Sequence, residues 1–415
     1  MNLKLNSLNR DLFAVSSAND IRVNTAGGKH ISRNEVVSSG RLLLTEYVGN
    51  QLNLRPDTKG SFNSRLAEKE INYSDFARNT TEKTLMFCAA LANQAVGKEA
   101  PASFDEVRNN MSYAKDENFL RALAAITRDV LEPTLFAVMD DVAAGNLMQW
   151  ETVPFGGTKE ITIASNDVFL FEDSAWGSAR SASYNRLYDK TITLNPSPKT
   201  TQAKIYWYQH VVNGDIGRYY AAIVRGMWNK IYAMFIQNLT SAVGNVAYIP
   251  TGLTASGYTT DNWNAITTLV AAANGVRRDN LVAFGTVQAL SRVLPTDGTG
   301  AAIVGLQYGL GEDWIRRGYI PNAAGVQLVE ILPAIVPGTQ NSTLDTIGFG
   351  DNIVVTAKGG YGYAPIYGGY YEGSPLTLEL RPEETGDLTI DVTATAIFDM
   401  KPVFASKVGV ITDVA

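Results

Sequence analysis

Hydrophobic positions recur at helical spacing most persistently between Asp215 and Ser241. Tyr220, Ile223, Met227, Ile231 and Phe235 form one stripe, and Trp228 joins it from a second. No proline interrupts the run, and Asp215 stands where it can cap the helix or face its dipole. A helix of this length spans about 40 Å. Arg218, Arg225, Asn229, Lys230 and Gln237 exclude a simple lipid-facing span, and strict heptads are not kept. The pattern therefore predicts the spine of a domain, with the six named residues as its core.

Upstream, residues 1–33 are polar and weakly periodic, which predicts an irregular arm. Helical spacing begins at Asn34, a polar linker covers 53–72, and a second helix is expected over Ser74–Val96. Ser103 and Glu106 match a capping box. A further helical run starts at Glu117 and should kink or restart at Pro133 before stopping at Gly145. After Trp150 short strands are expected at 160–163, 168–171, 190–194 and 204–208, around the polar stretch EDSAWGSARSASYN. This reads as an antiparallel flap that cannot bury a core of its own.

Beyond Gly244 the pattern alternates. Helices are expected at 263–273 and 286–294, and strands at 281–284, 325–332, 352–356 and 376–380. The run KGGYGYAPIYGGYYEG, which holds Tyr361 and Tyr363, reads as a tight loop or an assembly contact, with an aromatic binding platform as the alternative. Residues 388–400 alternate with a period of two, and PVFASKVGVIT closes the chain as another strand-like stretch.

The totals constrain function more than fold. The 415 residues suffice for two to four domains, and only 18% are charged against about 25% in typical chains. The formal net charge is −6, and no Arg/Lys cluster marks a nucleic-acid groove. The single cysteine, Cys88, lies in an apolar run, so no intrachain disulfide exists. The N-terminal residues lack the h-region of a signal peptide, and no stretch reaches transmembrane length. His30 and His210 are unpaired in sequence, and no GxSxG elbow, Walker A loop, dinucleotide fingerprint or paired-cysteine zinc spacing occurs. Asp140–Asp141 and Glu383–Glu384 are adjacent acids of the kind that are usually solvated. The sequence thus predicts no enzyme, no cofactor, no metal and no membrane association.

The order of elements resembles the major capsid proteins of tailed bacteriophages, the Hong Kong 97-like shell fold. A helical region precedes a β flap, a long spine helix, an α/β section containing DNLVAFGTVQALSRVL and a pair of closing strands, over roughly residues 115–412. The resemblance implies an α+β fold. It makes 1–150 a helical N-terminal arm, 151–211 the extended loop, 212–245 with 386–415 the peripheral domain and 246–385 the axial domain. It implies hexamers and pentamers of the chain, an icosahedral shell around double-stranded DNA, and association with portal, scaffold or decoration proteins. The shell would be part of a virion assembled in the bacterial cytoplasm. Residues 1–110 are a cleaved scaffold region, an elaborated arm or an added domain. Trp176 and Tyr184, in the polar middle of the flap, are candidate contacts between copies, with packing inside the flap as the other reading; Tyr361 and Tyr363 join them. An encapsulin-like nanocompartment shell is the alternative function, and a β-rich enzyme or sugar-binding protein a third.

Overall fold

The computed structural model of the protein describes residues 21–26, 28, 30–51, 73–143, 148–163, 171, 173, 189–206, 216–294, 317–358, 364–372, 376–382, 389–404 and 407–414. Of 45–51, 73, 74, 134–143 and 190 it describes the backbone. Helices predominate before Met148 and strands after it, with further helices set among the later strands, an α+β arrangement, and the chain divides into two compact units. The first comprises residues Met1–Val138, Pro198–Trp228 and Gly373–Ile397; the second comprises Met139–Ser197, Asn229–Glu372 and Phe398–Ala415.

Within the stretch expected to be an irregular arm lies a hairpin of β1 (Arg22–Asn24) and β2 (His30–Ser32). Two-residue alternation buries Val23 and Ile31 on one face and leaves Arg22, Asn24 and His30 on the other. Helix α1 (Arg33–Gln51) follows at once, and Ser32 Oγ caps it by accepting the Glu35 N–H at 3.1 Å. It packs on α2 (Tyr73–Ala95); Val36, Val37, Leu43 and Leu44 are buried on α1, and Leu85, Phe87 and Cys88 on α2. Helix α3 (Phe104–Asn109) has Ser103 at its N-cap, but the expected box does not close. The Ser103 hydroxyl makes no capping bond, and Glu106 Oε2 accepts the Ala102 N–H at 2.8 Å instead.

A 3₁₀ turn at Met111–Lys115 leads to α4 (Glu117–Ala143), which runs through Pro133 without restarting. Proline has no N–H for the carbonyl four residues back, and here that carbonyl belongs to Asp129. Arg41 of α1 takes the missing donor's place, with Nε and Nη2 at 3.1 and 2.7 Å from the Asp129 oxygen. Close approach of the two helices depends on Gly40: a Cβ there would lie 2.8 Å from Val130 Cγ2 and 3.6 Å from the Tyr220 ring.

Strands β3 (Met148–Val153), β4 (Lys159–Ile163), β5 (Lys190–Leu194) and β6 (Ser197–Tyr206) lie along the expected flap, and β3 begins before the sequence-predicted transition at Trp150. Of these, only β4 and β5 form the expected antiparallel ribbon. Helix α5 (Ile216–Ala242) is the predicted spine, 27 residues long. Its first N–H, that of Ile216, donates to Thr81 Oγ1 of α2 at 3.1 Å, so a neighbouring helix supplies its cap; Asp215 lies outside the described residues.

Past a 3₁₀ turn at Thr251–Leu253 come β7 (Thr254–Ser256), α6 (Thr260–Ala273), β8 (Leu281–Gly285) and α7 (Val287–Leu290). The helix expected over 286–294 is a single turn that tightens into shorter bonds, Arg292 N–H to Ala289 O and Val293 N–H to Leu290 O. Pro295 disfavours helical backbone at the preceding residue. Next are β9 (Asn322–Ala323), β10 (Val326–Glu330), β11 (Ala334–Ile335), β12 (Thr346–Ile347), β13 (Ile353–Ala357), β14 (Ile366–Tyr371), β15 (Leu376–Pro382), β16 (Thr389–Pro402) and β17 (Gly409–Thr412).

In the second unit, β7, β17, β13, β8, β10 and β9 lie side by side in that order as one sheet. Its central strands β8 and β13 are buried along their whole length. Helix α6 covers β17 and β13, with Ile266 and Val270 against Gly409 of β17. Gly409 makes room for it, since a Cβ there would meet Ile266 Cγ2 at 2.5 Å and Val270 Cγ2 at 2.6 Å. Asn274 locks the end of α6 to the approach of β17, donating to Val270 O and Lys407 O and accepting the Lys407 N–H. Asn229 of α5 pairs with Ile335 as a strand would, Nδ2 to O at 2.8 Å and Ile335 N to Oδ1 at 2.6 Å.

Part of the run read as a Tyr/Gly loop is strand β14, parallel to β3 and antiparallel to the last residues of β16. Its glycines are needed for packing. A Cβ on Gly368 would sit 2.4 Å from Trp150 Cε3, and one on Gly369 2.9 Å from Leu194 Cδ1. In the first unit, the earlier part of β16 pairs with β15, and β6 pairs with β16. Ile390, Val392, Ala394 and Ala396 point inward as their alternation predicts.

Candidate assembly surfaces

Chemistry-bearing side chains are dispersed. Among the described residues no three His, Cys, Asp or Glu side chains stand close enough to hold a metal ion. Cys88 is buried, and burial pushes its thiol up, away from the reactive thiolate. His30 Nδ1 is hydrogen-bonded to Asn24 Oδ1 on the hairpin. An open depression of about 380 Å³ is lined by Arg22, His30, Ser32 and Glu35. Two of its polar groups are already engaged, Ser32 in capping α1 and Glu35 in an ion pair with Lys83 at 2.5 Å. His210, Glu383 and Glu384, and the side chains of Asp140 and Asp141, lie outside the described residues.

The surfaces that stand out are built by the flap strands. In the β4–β5 ribbon, register pairs Ile161 with Ile192, and Ile163 lies on the same face. That face packs on Tyr367, Val403 and Ala364. The opposite face carries Glu160, Thr162, Thr191 and Thr193, with the two hydroxyls of Thr162 and Thr191 at 3.4 Å. One apolar face is thus satisfied within the chain, and the ribbon is anchored. Strand β6 behaves differently: along its ten residues neither face is buried, and Tyr206 at its end is half exposed. Its edge meets β16, where Thr200 and Thr395 hydroxyls lie 3.0 Å apart.

Two aromatic rings of the second unit project outward. Phe155, in the turn between β3 and β4, is 79% exposed, its ring 5.4 Å from that of Tyr371. Phe171 is fully exposed; it lies outside regular structure, not in the strand expected at 168–171, whose other residues fall outside the described set. The periodicity of the sequence marks neither. The P-F-G-G context of Phe155 is a signal that could have found it, because an aromatic in a Pro/Gly turn has no strand or helix face to turn inward. The candidate contacts Trp176, Tyr184, Tyr361 and Tyr363 lie outside the described residues.

Along the spine, Tyr220, Ile223, Met227, Ile231 and Phe235 are buried, while Trp228, expected in the core with them, is half-buried. It belongs to the second stripe, at the margin of the buried face. Burial pushes the Tyr219 and Tyr220 hydroxyls up, so both stay protonated. No helix among the described residues is long and apolar enough to cross a membrane.

No family model and no curated protein matches the sequence. Solved structures do. A chain of Microbacterium phage Oxtober96 is 14% identical over 65% of this chain and 90% of its own, with a TM-score of 0.40. The capsid of a native GTA particle gives 13% identity over 65% and 89%, with a TM-score of 0.41. The holo-SrpI encapsulin complex from Synechococcus elongatus PCC 7942 gives 11% identity over 65% and 85%, with a TM-score of 0.34. Likenesses this loose leave the function to be argued from the chain's own elements.

Proposed function

We propose that this chain is the major capsid protein of a tailed bacteriophage, with a Hong Kong 97-like fold. Copies associate into hexamers and pentamers that close into an icosahedral shell around double-stranded DNA. In this reading β4 and β5 belong to the extended loop, α5 and β16 to the peripheral framework, and the six-stranded sheet with α6 to the axial section. Assembly takes place in the host bacterial cytoplasm, and portal, scaffold or decoration proteins join the shell.

The observation that carries the proposal is the surface this chain leaves uncovered along its flap segment: a ten-residue strand buried on neither face, together with the projecting rings of Phe155 and Phe171. Strands of this kind gain stability when another chain covers them, and aromatics concentrate binding energy at contacts between chains. Repetition of one such contact by symmetry generates rings and closed shells. A net charge of −6 suits a container that holds DNA by enclosure, since a sequence reader would need a basic footprint.

Negative-stain microscopy and sedimentation of the purified chain test the reading. Closed shells, or rings of five and six, are expected. Discrete small particles that persist at high protein concentration would refute it. Nuclease-protected double-stranded DNA in particles from phage-producing cells is expected; protein cargo in its place would identify a nanocompartment shell. Phe171→Asp should leave the subunit's stability within about 0.5 kcal/mol, as for surface substitutions generally, and reduce shell yield.

A further inference from the structure

We infer that α1 is a clasp on a hinge in α4 centred on residues 129–133, so that docking of α1 decides whether α4 holds as one continuous helix.

The hinge follows from covalent structure. Pro133 removes one rung of the helical ladder, and its ring crowds the carbonyl of Asp129. An unpaired carbonyl at a partly buried position weakens a helix unless another donor reaches it. Arg41 reaches it twice, through Nε at 3.1 Å and Nη2 at 2.7 Å. The donor belongs to a different helix, so the repair of α4 lasts only while α1 is seated.

Three further observations converge on the same residue. Arg33, at the start of α1, holds the Asp129 side chain with Nε at 3.2 Å and Nη2 at 2.5 Å. Asp129 is therefore gripped by α1 at both its main chain and its carboxylate. Gly40 lets α1 sink onto Val130, which brings the Arg41 stem within range. Arg41 is only 9% exposed. Burial pulls its guanidinium pKa down, and the nearby Asp129 and Glu132 charges oppose that shift. A cation held this deeply is stabilised by its partners and loses them together if α1 leaves.

The consequence is conformational coupling. Whatever displaces α1 frees the Asp129 carbonyl and loosens α4 at Pro133, and whatever bends α4 there weakens the seat of α1. The inference is independent of shell assembly and holds for the isolated subunit.

The test is amide hydrogen exchange on the full chain, comparing Arg41→Met, Pro133→Ala and the double variant with the parent. Arg41→Met should raise exchange of the amides at 130–132 and 134–136 by at least tenfold. In the Pro133→Ala background, where the substituted residue donates its own N–H to the Asp129 carbonyl, the same change at Arg41 should raise it less than threefold. Equal increases in both backgrounds would reduce Arg41 to a packing residue and overturn the clasp, as would no increase in either. Should Arg41→Met not fold, Arg41→Lys, which keeps the charge but not the paired donors, replaces it: an increase confined to the Pro133 background supports the clasp, and an increase of the same size in both overturns it.

Discussion

Gly368→Ala adds one methyl group where Trp150 already lies. The two residues are register partners in the parallel pair of β14 and β3, and the indole crosses over the glycine. A Cβ at 368 would be 2.4, 2.5 and 2.8 Å from Cε3, Cζ3 and Cδ2 of that ring, whereas carbon atoms rest at about 3.5–4.0 Å. The ring must retreat by about 1 Å or more to restore that spacing. Overpacking of this kind costs about 1–3 kcal/mol. The displaced indole also compromises its contacts with Phe398 and Tyr370, at centroid distances of 6.2 and 6.3 Å, each worth about 0.5–1.5 kcal/mol. Replacing a strand glycine returns about 0.5–1 kcal/mol of backbone entropy. The net expectation is a loss of about 2–3 kcal/mol. Urea unfolding of the purified chain, followed by far-ultraviolet circular dichroism, should show a lower midpoint at an unchanged slope. In a Trp150→Val background the clash is gone, so the same glycine change should cost less than about 0.5 kcal/mol. An equal loss in both backgrounds would refute the argument, because the glycine would then be required by its backbone and not by the indole.

Gly409→Ala should be at least as damaging, about 2–4 kcal/mol, because the methyl would meet the stiff side chains of Ile266 and Val270 at 2.5 and 2.6 Å; thermal unfolding within about 1 °C of the parent, against the shift of several degrees such a loss produces, would contradict the account of how α6 seats on β17. Asn274→Asp turns a donor toward Val270 O and Lys407 O into an acceptor and places a negative charge at the C-terminal end of α6. A loss of about 2–3 kcal/mol is expected, and chemical denaturation that finds no change would remove Asn274 as the lock. Burial raises the Glu330 carboxyl above its ordinary 4.5, so the native state binds that proton more tightly than the unfolded chain. The resulting stabilisation is complete below the unfolded pKa and is lost as pH rises through the folded one. Glu330→Gln should therefore gain melting temperature relative to the parent as pH rises from about 4 to about 7, and a difference that stays constant across that window would show that the carboxyl titrates normally.

How far the sequence discloses this structure depends on whether the deciding interaction is local. The spine is legible because burial on α5 follows its own helical period, and β16 is legible because Ile390, Val392, Ala394 and Ala396 keep a period of two. β14 is not. Its glycines look like loop residues, and they are strand residues only because Trp150 and Leu194, distant in the chain, fill the space their missing side chains leave. Capping shows the same division. Ser103 and Glu106 have the right spacing and make no closed box, whereas Ser32 caps α1 and Thr81 accepts the first N–H of α5 from another helix. Pro133 is the clearest case: its effect on its own helix follows from sequence, and the outcome is set by Arg41, whose relevance no local pattern announces. The uncovered surfaces follow the same logic. Phe155 could have been read from its turn, but exposure of β6 on both faces is a property of what the remainder of the chain does not cover. On the proposed reading a second copy of the chain covers it, so the hydrogen exchange of β6 amides should fall at protein concentrations where particles are seen, and exchange that stays constant would count against β6 as the contact.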